Sequence, residues 1–224
     1  LQDLKEAAKL ASSRGIVTIV DNTWASPCYQ HPLALGADLV VHSLTKYVGG
    51  HSDVLGGAVI GSMERIAQLS RIDHQLLGGV MAPHTASLML RGMRTLPLRM
   101  QRLSESVQQV ASYMQTFPFV RRVNFPGLHD HPQHALARAQ MTGYGSLFSV
   151  EVDGSVEQAK AWVDQLRYFR IGLSFGGYES LALVVGPTPD STPERPVFLI
   201  RLNVGLEDPR DLIRDLGSIA QYYR

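Results

Sequence analysis

The sequence predicts an α/β domain over residues 1–95, built on a parallel sheet, followed by an α+β domain over residues 96–224. Three observations carry this. Short apolar runs rich in β-branched residues alternate with helical periodicity as far as residue 95. Beyond a long helical stretch the alternation gives way to strands and helices in mixed order. The 224 residues suit one large domain or two small ones.

The elements follow in order. Leu1, Leu4, Ala8 and Leu10 fall near helical spacing, and Gly15 is the expected stop. Ile16–Val20 is a continuous apolar run that reads as a buried strand. Residues 21–37 connect it, through a short helical turn, to a second buried strand at Asp38–His42. The glycine-rich stretch 49–57 leads into a third strand at Ala58–Ile60, and a helix is expected from Met63 to Leu76. Residues 84–116 read as mostly helical, with Pro97 kinking or restarting the helix. Strands are expected at 119–125, 146–152, 170–173 and 197–202, and helices at 131–141, 155–167 and 208–223. The Pro-rich segment 186–196 reads as an exposed loop. A parallel sheet needs βαβ partners and cover on both faces, yet only three strands are legible before residue 95. Further chain before Leu1, carrying the missing strands, is therefore expected.

Composition narrows the function classes. Lys+Arg total 21 against 20 Asp+Glu, a net charge of +1 that builds no field to gather nucleic acid or an anionic membrane. No apolar run reaches bilayer length, and no secretory leader pattern is present at Leu1. Cys28 is the only cysteine, so no internal disulfide can form. These features fit a cytoplasmic enzyme acting on a small molecule.

The chemistry concentrates at strand ends. The Asp38–His42 strand runs into Ser43-x-Thr45-Lys46 and then glycines. Ligands of open α/β sheets sit beyond the carboxyl ends of the strands. Two hydroxyls, free backbone N–H groups and a lysine there can hold a phosphate and offer an amine nucleophile, although a surface lysine beside two loop hydroxyls has the same pattern. Asp21 closes the preceding strand, as a carboxylate of the same crevice or as a turn or cap residue. An aldehyde cofactor with a pyridine ring needs a lysine, an acid facing the ring nitrogen and a phosphate cup, and Lys46, Asp21 and Ser43 with Thr45 supply them. Arg201 stands in the apolar run FLIRL, a costly place unless it meets an anion; a substrate carboxylate or a structural pair with Glu207 or Asp208 would serve. His129, His131 and His134 match neither a zinc-finger nor an H-E-x-x-H spacing and read as an exposed loop without metal. His42 and His51 read as packing or loop residues, and Cys28 as a small buried side chain.

The segment DNTWASPCYQHPLALGADLVVHSLTKYVGGHSDVLGG resembles the cofactor region of the pyridoxal 5'-phosphate-dependent enzymes of Cys/Met metabolism, the transsulfuration lyases and synthases. LRGMRTLPLRM (90–100), LSFGGYESL (173–181) and IRLNVGLEDPRDLI (200–213) extend the likeness over essentially the whole chain. The resemblance implies fold type I, the aspartate-aminotransferase-like fold, with part of the large domain joined to the C-terminal domain. It implies pyridoxal 5'-phosphate as cofactor, Lys46 as the Schiff-base lysine, Asp21 as the partner of the ring nitrogen, and Ser43 and Thr45 on the phosphate. It further implies Arg201 on the substrate carboxylate and Ser174 beside it. Within the family, Trp24, Tyr178 and RLNVGLED look most like the bacterial cystathionine β-lyase branch. Leu173 stands where the γ-lyase and γ-synthase branch usually has glutamate, and Phe175 where the β-lyase branch can carry another aromatic such as Trp. The implied reaction is β-elimination of cystathionine to homocysteine, pyruvate and ammonia. Alternatives are a methionine γ-lyase, a cystathionine γ-lyase or γ-synthase, an O-acylhomoserine sulfhydrylase, or a silent chain with only an assembly role. The expected partners are a sulfur amino acid and further copies of the chain, as a dimer or tetramer.

Overall fold

The computed structural model describes residues 1–218 and Ala220. The chain divides into two compact units, one of residues 1–97 with 135–144 and one of residues 98–134 with 145–224.

In the first unit, α1 (Leu4–Ser12) starts at Asp3, whose side chain accepts from Glu6 N at 3.1 Å and satisfies one of the helix's orphan donors. Strand β1 (Ile19–Asp21) is followed by the short helix α2 (Ser26–Tyr29) and a 3-10 turn at Pro32–Leu35. Strands β2 (Leu39–Ser43) and β3 (Gly57–Gly61) complete a three-stranded sheet in the order β1-β2-β3. β1 and β2 are parallel, with Asp21 opposite Val41, but β3 runs antiparallel to β2, with Ser43 opposite Gly57. The wholly parallel sheet expected from the sequence is corrected here. Residues 44–56 contain no crossover helix, and without one the chain can only turn back. The expectation that the first strand is buried is corrected as well. Only β2, flanked on both sides, is mostly buried; Ile19 on β1 and Val59 and Ile60 on β3 are exposed, as edge residues can be.

Helix α3 (Met63–Leu69), capped by Ser62, passes through a π-turn at Ser70–His74 into α4 (Gln75–Leu77). Next come α5 (Pro83–Met93) and α6 (Leu96–Met114). Pro97 restarts the helix instead of kinking it, because a first-turn proline lacks only an N–H that has no intrahelical acceptor. Gly92 on α5 is required by close approach: a Cβ there would run into the carbonyl oxygens of Val48 and Gly49, immediately after the lysine loop. Helix α7 (His134–Gln140) belongs largely to this unit, where Ala137 and Met141 pack with Ala25, Trp24 and Tyr144.

The second unit holds a five-stranded sheet in the order β4-β5-β8-β7-β6: β4 (Val120–Asn124), β5 (Leu147–Asp153), β6 (Arg170–Ile171), β7 (Leu181–Pro187) and β8 (Val197–Asn203). All neighbours are antiparallel except β6 with β7. Strand β7 was not expected. Its apolar run ends at Pro187, inside the Pro-rich segment 186–196 that reads as a loop. The strand expected at 170–173 shrinks to two residues. One face of the sheet is core, with Phe148, Val150, Val152, Ile200 and Leu202 all buried. The helices are α6, α8 (Val156–Asp164) and α9 (Pro209–Ser218). On α6, Met100, Leu103, Val107, Val110, Ala111 and Met114 recur at helical spacing and are almost wholly inaccessible. The helix expected at 208–223 is seen to Ser218; apart from Ala220, the rest of that span lies outside the described residues.

Candidate active site

The parallel pairing of β1 with β2 brings Asp21 and Ser43 to neighbouring carboxyl ends of the sheet. One residue links them. Thr23, nearly buried, donates from Oγ1 to Asp21 Oδ1 at 2.5 Å and accepts from Ser43 N at 2.8 Å. Thr23 N adds a second bond to Asp21 Oδ1 at 2.9 Å. Asp21 is thus a turn residue whose Oδ1 is fixed, while Oδ2 makes no hydrogen bond among the described residues. Thr23 was missed in the sequence; the available signal was an Asp followed two residues later by Thr at a strand end, the pattern of an Asx turn.

Ser43 and Thr45 differ. Ser43 Oγ makes no hydrogen bond among the described residues. Thr45 Oγ1 is reciprocally paired with Gly56, accepting from its N at 3.0 Å and donating to its O at 3.3 Å. Thr45 N also reaches Gly56 O, so this residue ties the two ends of the glycine-rich loop together. Lys46 follows in a tight turn, with Lys46 N on Ser43 O at 3.1 Å and Gly50 N on Lys46 O at 2.8 Å. The structure therefore brings Asp21, Ser43, Thr45 and Lys46 onto contiguous strand ends and one loop. His42, on the same strand as Ser43, is buried. Burial pushes its pKa below the ordinary value of 6.5, against the opposing pull of the Asp21 carboxylate.

The second unit carries Ser174 and Arg201. Arg201 lies at the middle of β8, flanked by Ser149 on β5 and Leu183 on β7. It is half-buried and points to the face opposite Ile200 and Leu202. The run FLIRL is therefore an alternating strand, and Arg201 occupies its open face, not the core. Of the two carboxylates weighed as its structural partners, Glu207 accepts from Ser180 N and Oγ, both at 2.8 Å, and Asp208 pairs with Arg210 at 2.6 Å. The Phe175 ring lies under the Arg201 guanidinium, 5.8 Å from centroid to Cζ, beside Ser174. In the histidine loop, His134 Nδ1 engages Pro126 O at 2.9 Å, and His131 Nδ1 accepts from Gln133 N at 3.1 Å. No helix among the described residues is long and apolar enough to cross a membrane.

The profile of the family "Cys/Met metabolism PLP-dependent enzyme" matches residues 1–219. The chain belongs to this family. It is 40% identical over 229 residues to the cystathionine gamma-lyase of Bacillus subtilis, covering 99% of this chain and 60% of that protein. It is 37% identical over 225 residues to the cystathionine beta-lyase of Coxiella burnetii, covering 96% of this chain and 58% of that protein. The crystal structure of cystathionine gamma synthase from Xanthomonas oryzae pv. oryzae, in complex with aminoacrylate and cysteine, superposes with a TM-score of 0.91 at 40% identity, covering all of this chain and 60% of that one. The chain thus spans about 60% of the length of these relatives. The family places it in PLP fold type I and makes pyridoxal 5'-phosphate its cofactor.

The residues present fit that cofactor. Asp21 has one oxygen fixed and the other without a partner among the described residues, as contact with a pyridinium N–H requires. Ser43 offers a hydroxyl that makes no hydrogen bond among the described residues, beside an amine-bearing loop.

Proposed function

We propose that the parent enzyme is a carbon–sulfur lyase that performs β-elimination on cystathionine, giving homocysteine, pyruvate and ammonia with uptake of one water. The observation that carries the enzyme reading is the Asp21–Thr23–Ser43 hydrogen-bond chain across the two parallel strand ends, one turn before Lys46. Bound pyridoxal 5'-phosphate would supply a ring that accepts the electron pair left at the substrate Cα. Asp21 Oδ2 would hold the proton on the ring nitrogen, Ser43 would hold the phosphate, and Thr45 would join it by turning its hydroxyl hydrogen from Gly56 O to the phosphate. The Lys46 amine would take the Cα proton, after which the Cβ–S bond breaks with its electrons leaving on sulfur. Arg201 and Ser174 would bind the substrate carboxylate, since the guanidinium fork matches a carboxylate in shape and charge.

The choice of β over γ chemistry rests on Leu173. It is apolar and 75% exposed beside Ser174, so it provides no group to move a second proton at the γ-branch's usual glutamate position. The γ reading is favoured by the names of relatives, which include gamma-lyases and gamma-synthases. A panel of cystathionine, methionine and O-acylhomoserines, scored for pyruvate against 2-oxobutyrate, separates the two. Dominant 2-oxobutyrate refutes the β assignment. For the chain by itself, addition of pyridoxal phosphate should give a yellow colour that Lys46→Ala abolishes. No Lys46-dependent colour would refute cofactor binding by these 224 residues.

A further inference from the structure

Asn203 lies at the end of β8, two residues beyond Arg201 on the same sheet face, and is 1% exposed. Its amide is engaged on both sides. Oδ1 accepts from Ser146 Oγ at 2.8 Å and from Gly176 N at 3.3 Å, and Nδ2 donates to Glu179 O at 3.0 Å. These bonds join the start of β5, the end of β8 and both halves of the loop 174–179. The far end of that loop has its own clamp: Tyr178 O accepts from Leu206 N at 2.8 Å, and Ser180 is held by Glu207 and by Gly205 N. Nothing in that second clamp reaches Gly176. Gly176 turns with φ +80°, where a side chain would be strained, and it directly follows Phe175, the ring against Arg201.

We propose that Asn203 is a positioning residue, which pins Gly176 so that Phe175, the chain neighbour of Ser174, stands against the Arg201 guanidinium. The consequence for substrate rests on the reading of Arg201 as the carboxylate-binding group. Asn203 fixes where that carboxylate sits without touching it, because one buried amide sets the loop and the arginine strand in a single frame. Replacing it removes the side-chain bond that holds Gly176 N, while the Glu207 clamp keeps residues 178–180 in place.

The test uses the 224-residue protein and two NMR readouts, amide exchange and the Arg201 Nε resonance during titration with acetate. In Asn203→Leu, exchange at Gly176 should rise about tenfold, the loss of one stabilising hydrogen bond, while Ile200 and Leu202 stay protected. Acetate affinity at Arg201 should fall severalfold. Ser146→Ala, which removes only one donor to Oδ1, should raise exchange at Gly176 by a smaller factor, and it decides the matter should Asn203→Leu fail to fold. Unchanged exchange at Gly176, or a rise spread evenly over Ile200 and Leu202, overturns the proposal. An unperturbed acetate affinity in a variant whose loop has opened overturns its substrate half. If the wild-type protein shows no acetate response at Arg201, the carboxylate role of Arg201 fails, and the exchange data still decide the positioning role.

Discussion

Thr23→Val tests the strand-end linkage most directly, because it keeps the shape of the side chain and removes only the hydroxyl. Two bonds go: the 2.5 Å bond to Asp21 and the 2.8 Å bond from Ser43 N. Ser43 N–H loses its acceptor next to an almost buried side chain, and an unsatisfied donor of this kind costs about 1–3 kcal/mol. The Asp21 bond adds less, since Asp21 is exposed and water can replace the hydroxyl. The sum is about 2 kcal/mol, a roughly thirtyfold change in the folding equilibrium. For a chain of this size that corresponds to a loss of about 4–8 °C in Tm. Fluorotryptophan labelling reads the effect, because Trp24 and Trp162 lie in different units and give separate 19F resonances during urea unfolding. The Trp24 transition should move to lower urea and the Trp162 transition should move less. Pyridoxal phosphate should also bind more weakly to the variant, since Asp21 loses one of the two groups that orient it. Thr23→Ser retains both bonds and should stay close to the parent. Equal stability and cofactor affinity in Thr23→Val and the parent would refute the linkage, as would equal damage from Thr23→Ser.

Three further outcomes are expected. Gly92→Ala forces a Cβ against the backbone oxygens of Val48 and Gly49, which cannot swing aside, so it should cost about 1–3 kcal/mol and weaken cofactor binding at the adjacent lysine loop, measured by urea unfolding and by absorbance titration. His42 has a folded-state pKa below its unfolded value of 6.5, so the stability it contributes is present above about pH 6.5 and is lost as pH falls through the folded value. Unfolding of the first unit should accordingly become easier below pH 6.5, and His42→Gln should flatten that slope. Asp215, 5% exposed, accepts from Arg167 N at 3.0 Å and Tyr168 N at 2.9 Å; Asp215→Ala should cost about 3 kcal/mol, seen on the Trp162 resonance before the Trp24 one.

Much of the local structure was legible. Helix α1 with its Gly15 stop, the restart at Pro97 and strands β2, β4, β5 and β8 follow from period, caps and breakers, which act over a few residues. The direction of β3 was legible in the helix-free 44–56 connection, but the strand–helix alternation around it pointed to a parallel sheet. Strand β7 was hidden because its apolar run merges with a Pro-rich loop signal.

The motifs around Asp21 and Lys46 were enough to recognise the family and its cofactor class, and the apolar runs before them put Asp21, Ser43, Thr45 and Lys46 at or just beyond two strand ends. How those residues are held follows from contacts between distant segments. Thr23 bridges two strands whose pairing no local pattern encodes. Thr45 is bound to a residue eleven positions away. Arg201 sits on the open face of β8 because strands on both sides fix which face is core. Asn203 gains its partners from β5 and the 174–179 loop only once the sheet is assembled. Hydrogen bonds between distant segments depend on register and burial, and both are properties of the folded chain.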